Sequence, residues 1–235
     1  MLKLKRRELG IVSAEASTAS PGKVLVSDFD GTMTQHDFYR LAIERLIPAD
    51  TPDYWVEYRA GKITHFEALR RYFAAIRSDD AQILDVVGQM GLDSQLAESV
   101  GQLQNAGWQV IVASAGCAWY IRRLLDAAGV SLQVHANPGH LVTGQGLKME
   151  LPRDSPYLSM ELGINKTAIV QHYLKEGATV AFAGDGFPDA DPARLVPDDL
   201  RFARGDLAKV LDSEGLPYHR YAHWSDVARY LLQWS

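Results

Sequence analysis

The sequence predicts an α/β protein, a doubly wound parallel sheet interrupted after its first strand by a block of helices. Three observations carry this. Apolar runs at residues 24–27, 109–113, 179–183 and 200–203 have the length and flanks of strands buried on both faces. Helical patterns with clear ends separate the later runs, as crossovers between parallel strands require. Residues 35–90 hold no convincing strand.

Taken in order, the first strand starts after Lys23 and runs into Ser27-Asp28-Phe29-Asp30-Gly31-Thr32. Four helices are expected next, over 37–47, 54–60, 64–77 and 80–90. Thr64 and Glu67 form a capping-box pair, and Ile63, Phe66, Leu69, Tyr72 and Phe73 make an apolar stripe that reads as a bundle interior. Asp93 or Ser94 caps a helix reaching Ala106, with Gly107 as its stop. After the second strand, a helix over 118–128 stops at Gly129. Residues 141–151, with Thr143-Gly144-Gln145-Gly146 at the tip, read as a β-hairpin. A helix over 165–176 stops at Gly177 before the third strand. The chain thus divides into a flexible or loosely attached extension (1–22), a core (23–35 and 91–235) and a helical insertion (36–90).

Composition narrows the function. The net charge is −5, and the one basic cluster, residues 3–7, is short, which argues against a nucleic-acid partner. No apolar run approaches the length of a membrane span, and the small, polar residues 13–20 do not make a signal-peptide core. The single cysteine, Cys117, excludes an internal disulfide and any multi-cysteine zinc site. A soluble cytoplasmic protein, monomer or homodimer, is expected.

The chemistry begins at Asp28 and Asp30. Side chains alternate along a strand, so both carboxylates emerge on one side at its carboxyl end, where open α/β sheets bind ligands. Two adjacent carboxylates repel, and a hard divalent cation such as Mg²⁺ beside a phosphate makes sense of them; the competing reading is an acidic turn. Ser114 ends the second apolar run and is followed by the backbone amides of Ala115 and Gly116, a place that holds phosphate oxygens or simply a helix cap. Lys166 stands at a helix start, where the helix dipole disfavours a cation. Gly184-Asp185-Gly186 ends the third run, with Asp189 four residues after Asp185. Together with Asp28 and Asp30 these carboxylates complete an oxygen-rich cation site at neighbouring strand ends.

This ordered set, Asp28-Phe29-Asp30-Gly31-Thr32, then Ser114, Lys166 and Gly184-Asp185-Gly186 through Asp189, resembles the four motifs of the haloacid dehalogenase-like (HAD) phosphohydrolases. The resemblance implies a Rossmann-like core, a mobile cap over 36–90 and Mg²⁺-dependent phosphoryl transfer. It makes Asp28 the nucleophile and Asp30 the acid and base. Gly31, Thr32, Ser114, Ala115, Gly116 and Lys166 would hold the phosphoryl group, and Asp28, Asp185, Asp189 and the Asp30 carbonyl the metal. The insertion resembles the cap of the phosphoserine-phosphatase-like branch, and within it the methionine-salvage phosphatases acting on 2-hydroxy-3-keto-5-methylthiopentenyl-1-phosphate. His36, Asp37 and Arg71 are the candidates for substrate contact. Tyr72 stands where phosphoserine enzymes carry an arginine, and residues 154–165 lack the cysteines of methionine-salvage relatives. A catalytically silent phosphate-binding protein on the same fold is the reading from another class.

Overall fold

Lys23 to Ser27 form β1, the centre of a six-stranded sheet, in a computed structural model that describes residues 22–234. The extension expected over 1–22 lies, but for Gly22, outside the described residues. After β1 come four helices, α1 (Phe38–Arg45), α2 (Tyr54–Arg59), α3 (His65–Ala74) and α4 (Asp80–Gly88). The chain then makes α5 (Leu96–Asn105), β2 (Trp108–Cys117), α6 (Ala118–Ala127) and β3 (Gln133–Asn137). Two small hairpins follow, β4 (Gly139–Val142) with β5 (Gly146–Met149), and β6 (Leu158–Ser159) with β7 (Gly163–Ile164). The remainder is α7 (Lys166–Lys175), β8 (Thr179–Gly184), α8 (Ala190–Arg194), β9 (Arg201–Ala203), α9 (Gly205–Glu214), β10 (His219–Arg220) and α10 (Trp224–Gln233).

The sheet order is β10-β9-β8-β1-β2-β3, with every pairing parallel. Alternation along β1 sorts the two cores. Leu25 packs with Val110, Val112 and Ala181 on the face covered by α5, α6 and α10. Val24 and Val26 pack with Ile111 and Phe182 on the face covered by α7, α8 and α9. A strand buried on both faces must be apolar at every position, which is why these runs were readable.

The register sets Ser27 beside Val112 and Ala183, so Asp28, Ala113 and Gly184 follow at the same level while β2 alone runs on to Cys117. The helical insertion rests over that edge. Its apolar side belongs to the same cluster as the sheet, with Phe38, Phe73 and Met90 joined to Leu25 and Val110.

The structure departs from the sequence expectation in specific places. β2 continues through Ser114, Ala115 and Gly116 to Cys117, so these residues are extended, with a register shift against β3 after Ala113. The amides after Ser114 therefore sit in an irregular strand end, and the Gly116 N–H donates to Ser114 Oγ at 2.9 Å. β3 was not expected, because its half-exposed residues do not form an apolar run. The hairpin tip falls at residues 143–145, but its strands begin and end two residues earlier than expected.

Candidate active site

Asp28 and Asp30 leave β1 into a tight turn at Gly31, which has φ +68°. A side chain there would collide with the Asp185 carboxylate, so glycine alone lets the two loops meet. Thr32 Oγ1 donates to Asp185 Oδ1 at 3.1 Å across this contact.

Lys166 is the first residue of α7 and is 3 % exposed. Its ammonium lies 2.9 Å from Asp28 Oδ1 and 2.6 Å from Asp189 Oδ1. Asp189 spends its other oxygen on the N–H groups of Asp185 and Gly186, at 3.0 and 2.9 Å, and so shapes the loop after β8. Burial opposes the charge on Lys166, but Asp189 and Asp28 outweigh it and raise its pKa.

Asp28, Asp185 and Asp189 each offer a carboxylate oxygen, all within 4.8 Å of one another. Three carboxylates here face one ammonium, a surplus of two negative charges. Burial, then the charge of Asp189, pushes Asp185 up to about 7, and burial with the same neighbour raises Asp28. A hard, all-oxygen donor set with that surplus fits Mg²⁺. The Asp30 carboxylate is not part of this cluster.

Asp30 is held differently. Its Oδ1 accepts from the Phe38 N–H at 3.1 Å; its Oδ2 accepts from the Tyr120 hydroxyl at 2.9 Å and from the Ser114 hydroxyl at 3.3 Å. Burial, then the nearby charge of Asp37, pushes its carboxyl up to about 6, a value suited to moving protons near neutral pH.

These groups form the floor of a cavity of about 600 Å³. Of the residues expected from the sequence, Asp28, Asp30, Asp37, Ser114, Ala115, Gly116, Lys166, Asp185 and Asp189 line it. Gly31 and Thr32 are buried immediately behind that floor. His36 is exposed and outside the lining. Arg71 is also outside it, held by Glu57 at 2.9 Å and Glu67 at 2.7 Å. The walls hold residues the sequence reading passed over. Trp55, His65, Leu69 and Phe73 come from the insertion, with Arg40 and Arg59 among them, and Phe187, 66 % exposed, from the loop after β8. Leu69 and Phe73 belong to the apolar stripe that reads as a bundle interior, a pattern that marks a cavity wall equally well.

The parallel sheet, with its carboxylates and buried lysine at one edge, defines a hydrolase-type α/β site. The profile of the haloacid dehalogenase-like hydrolases matches residues 25–189, and the chain belongs to that family. It is similar to the 2-hydroxy-3-keto-5-methylthiopentenyl-1-phosphate phosphatase of Brevibacillus brevis, 25 % identical over 89 % of this chain and 95 % of that one. The enzyme of the same name from Microcystis aeruginosa is 27 % identical over 89 % and 98 %. Among solved structures, a substrate-bound phosphoserine phosphatase superposes with a TM-score of 0.63 at 16 % identity, covering 90 % of this chain and 99 % of the other. A phospho-aspartyl intermediate analogue of phosphoserine phosphatase gives 0.58 at 17 % identity, covering 90 % and 99 %.

Proposed function

We propose that this chain is a Mg²⁺-dependent phosphatase of small-metabolite phosphate monoesters that works through an aspartyl-phosphate on Asp28. The observation that carries this is the Asp28 carboxylate on the cavity floor, paired with Lys166 and grouped with Asp185 and Asp189.

In the first step an Asp28 oxygen attacks phosphorus while the ester P–O bond breaks. The departing oxygen takes the proton of the Asp30 carboxyl and leaves as an alcohol. In the second step a water oxygen attacks the same phosphorus, and Asp30, now ionised, takes the water's proton. Inorganic phosphate leaves and Asp28 is restored. Lys166 and the Ser114 hydroxyl, with the amide of Ala115, hold the phosphoryl oxygens, and the Gly116 N–H steadies Ser114 Oγ from behind. Mg²⁺ held by Asp28, Asp185, Asp189 and the Asp30 carbonyl would supply charge neutralisation, making attack of one anion on another tolerable.

Residues 36–90 serve as the cap, and their walls choose the ester. Trp55, Leu69 and Phe73 give an apolar surface suited to a methylthio tail, which, with the names of the similar enzymes, supports 2-hydroxy-3-keto-5-methylthiopentenyl-1-phosphate as substrate. The guanidinium groups of Arg40 and Arg59 in the same cavity favour the second reading, a carboxylate-bearing ester such as phosphoserine. A phosphate-release panel with and without Mg²⁺ separates them. The first reading expects kcat/KM for the methylthio ester about a hundredfold above that for phosphoserine, a preference of some 2–3 kcal/mol. The reverse order favours the second. Phosphate binding with no release from any ester would identify a silent binding protein.

A further inference from the structure

Asp30 is gripped by donors from three elements, the Phe38 N–H of α1, the Ser114 hydroxyl of β2 and the Tyr120 hydroxyl of α6. The tyrosine is the unexplained member. Its ring is 1 % exposed and packs at a tilt against Phe38, with centroids 4.7 Å apart, and edge-on against Phe73 at 6.3 Å. Packing alone would be served by phenylalanine, as both neighbours illustrate, so the hydroxyl needs its own account. A buried phenol needs a partner, and here that partner is Asp30. Gly116 makes the contact possible: a Cβ on it would collide with the Tyr120 hydroxyl and come within 2.7 Å of Asp30 Oδ2.

We propose that Tyr120 is a positioning residue for proton transfer, holding the Asp30 carboxyl aimed at the departing oxygen and tying that aim to the seating of α1. The inference rests on the reading of Asp30 as acid and base given above. A hydroxyl both donates and accepts, so it serves Asp30 as carboxylate and as carboxylic acid. Ser114 is the weaker holder, with the longer contact and a second task toward the phosphoryl group. Phe38 supplies both the backbone donor to Asp30 and the ring against Tyr120. Lifting α1 therefore removes one grip on Asp30 directly and loosens the other, so the acid is assembled only when the insertion is seated.

The test compares kcat/KM for the best alkyl ester of the panel, whose oxygen departs only when protonated, with that for 4-nitrophenyl phosphate, whose oxygen departs without a proton. The ratio of the two does not depend on the fraction of correctly folded enzyme. Tyr120→Phe should lower the alkyl value about tenfold or more, the effect of losing a hydrogen bond to a charged group, and leave the aryl value within about twofold. Asp30→Asn should show the same split, larger. An equal fall for both esters in Tyr120→Phe, or no fall, overturns the role of Tyr120 while a split in Asp30→Asn preserves that of Asp30. No split in Asp30→Asn removes the acid reading and this inference with it.

Discussion

Lys166 sits where the dipole of its own helix works against it, and two carboxylates hold it there. Lys166→Met should leave Asp28 and Asp189 buried without a counter-charge, costing about 3–5 kcal/mol in urea unfolding without Mg²⁺. Added Mg²⁺ should recover part of that loss. Arg204 makes a second prediction. It donates to the carbonyls of Gly31, Thr34 and Ala222, at 2.6, 2.5 and 2.7 Å, and so clamps the turn that follows the nucleophile. Arg204→Ala should cost about 2–3 kcal/mol, and Arg204→Lys should fail to restore it because one ammonium cannot span the fork. The two residues differ in legibility. Asp28 and Asp185 follow apolar runs and Lys166 opens a helix with a clear stop at Gly177, and both signals could be read. Arg204 and Tyr120 act across 170 and 90 positions of sequence, on partners that only the folded sheet brings near.

Among the elements, α3 is docked by its amino end. The N–H groups of His65 and Phe66 donate to the side chain and main chain of Glu161, at 3.2 and 2.8 Å, joining the insertion to the hairpin before Lys166. His65 is depressed to about 4, chiefly by burial and then by the charge of Lys166. The unfolded chain therefore takes up that proton first, near pH 6.5. The contribution of this residue should fall as pH drops from 6.5 towards 4, by up to about 1.4 kcal/mol per pH unit, while Asp30 and Asp185, raised to about 6 and 7, contribute with the opposite sign below those values. His65→Gln should remove that contribution, so that the difference between the wild-type and variant curves changes by that amount per pH unit in urea titrations at several pH values; parallel curves would contradict the assignment. Elements with one uniform environment were legible: β1 and β8 as continuous apolar runs, and α3 by its Thr64 cap, which accepts from the Glu67 N–H. β3 hid behind its half-exposed pattern, and the end of β2 because Ser114 and Gly116 resemble a strand stop.

At the scale of the molecule, the insertion and the sheet share one apolar cluster, yet only two chain segments join them covalently. These segments run side by side. Gln35 and His36 donate to the Met90 carbonyl at 3.0 Å each, Asp93 donates to that of Met33 at 3.0 Å, and Thr34 bridges Leu92. On the proposed reading of residues 36–90 as a cap, these paired connectors would serve as its hinge. With the insertion acting as a cap, amide exchange in α1–α4 should slow several-fold when Mg²⁺ and vanadate are added together, while the centre of β1 stays unchanged. Equal protection throughout would speak against a separate motion. The substrate lay beyond sequence reading because the walls that select it are built from residues, Trp55, His65 and Phe73, whose spacing serves packing equally well.

Covalent transfer to one carboxylate defines the proposed reaction, and trapping the phosphorylated enzyme probes it at the reacting atom. Enzyme turning over with Mg²⁺ is quenched in acid, reduced with borohydride and digested, so that an aspartyl-phosphate is read as homoserine by mass spectrometry. Homoserine is expected at position 28 in the wild-type enzyme, at no other aspartate, and none in Asp28→Asn, which should also lose turnover by about a thousandfold or more. Full turnover by Asp28→Asn, or homoserine at another aspartate, would contradict covalent transfer to Asp28.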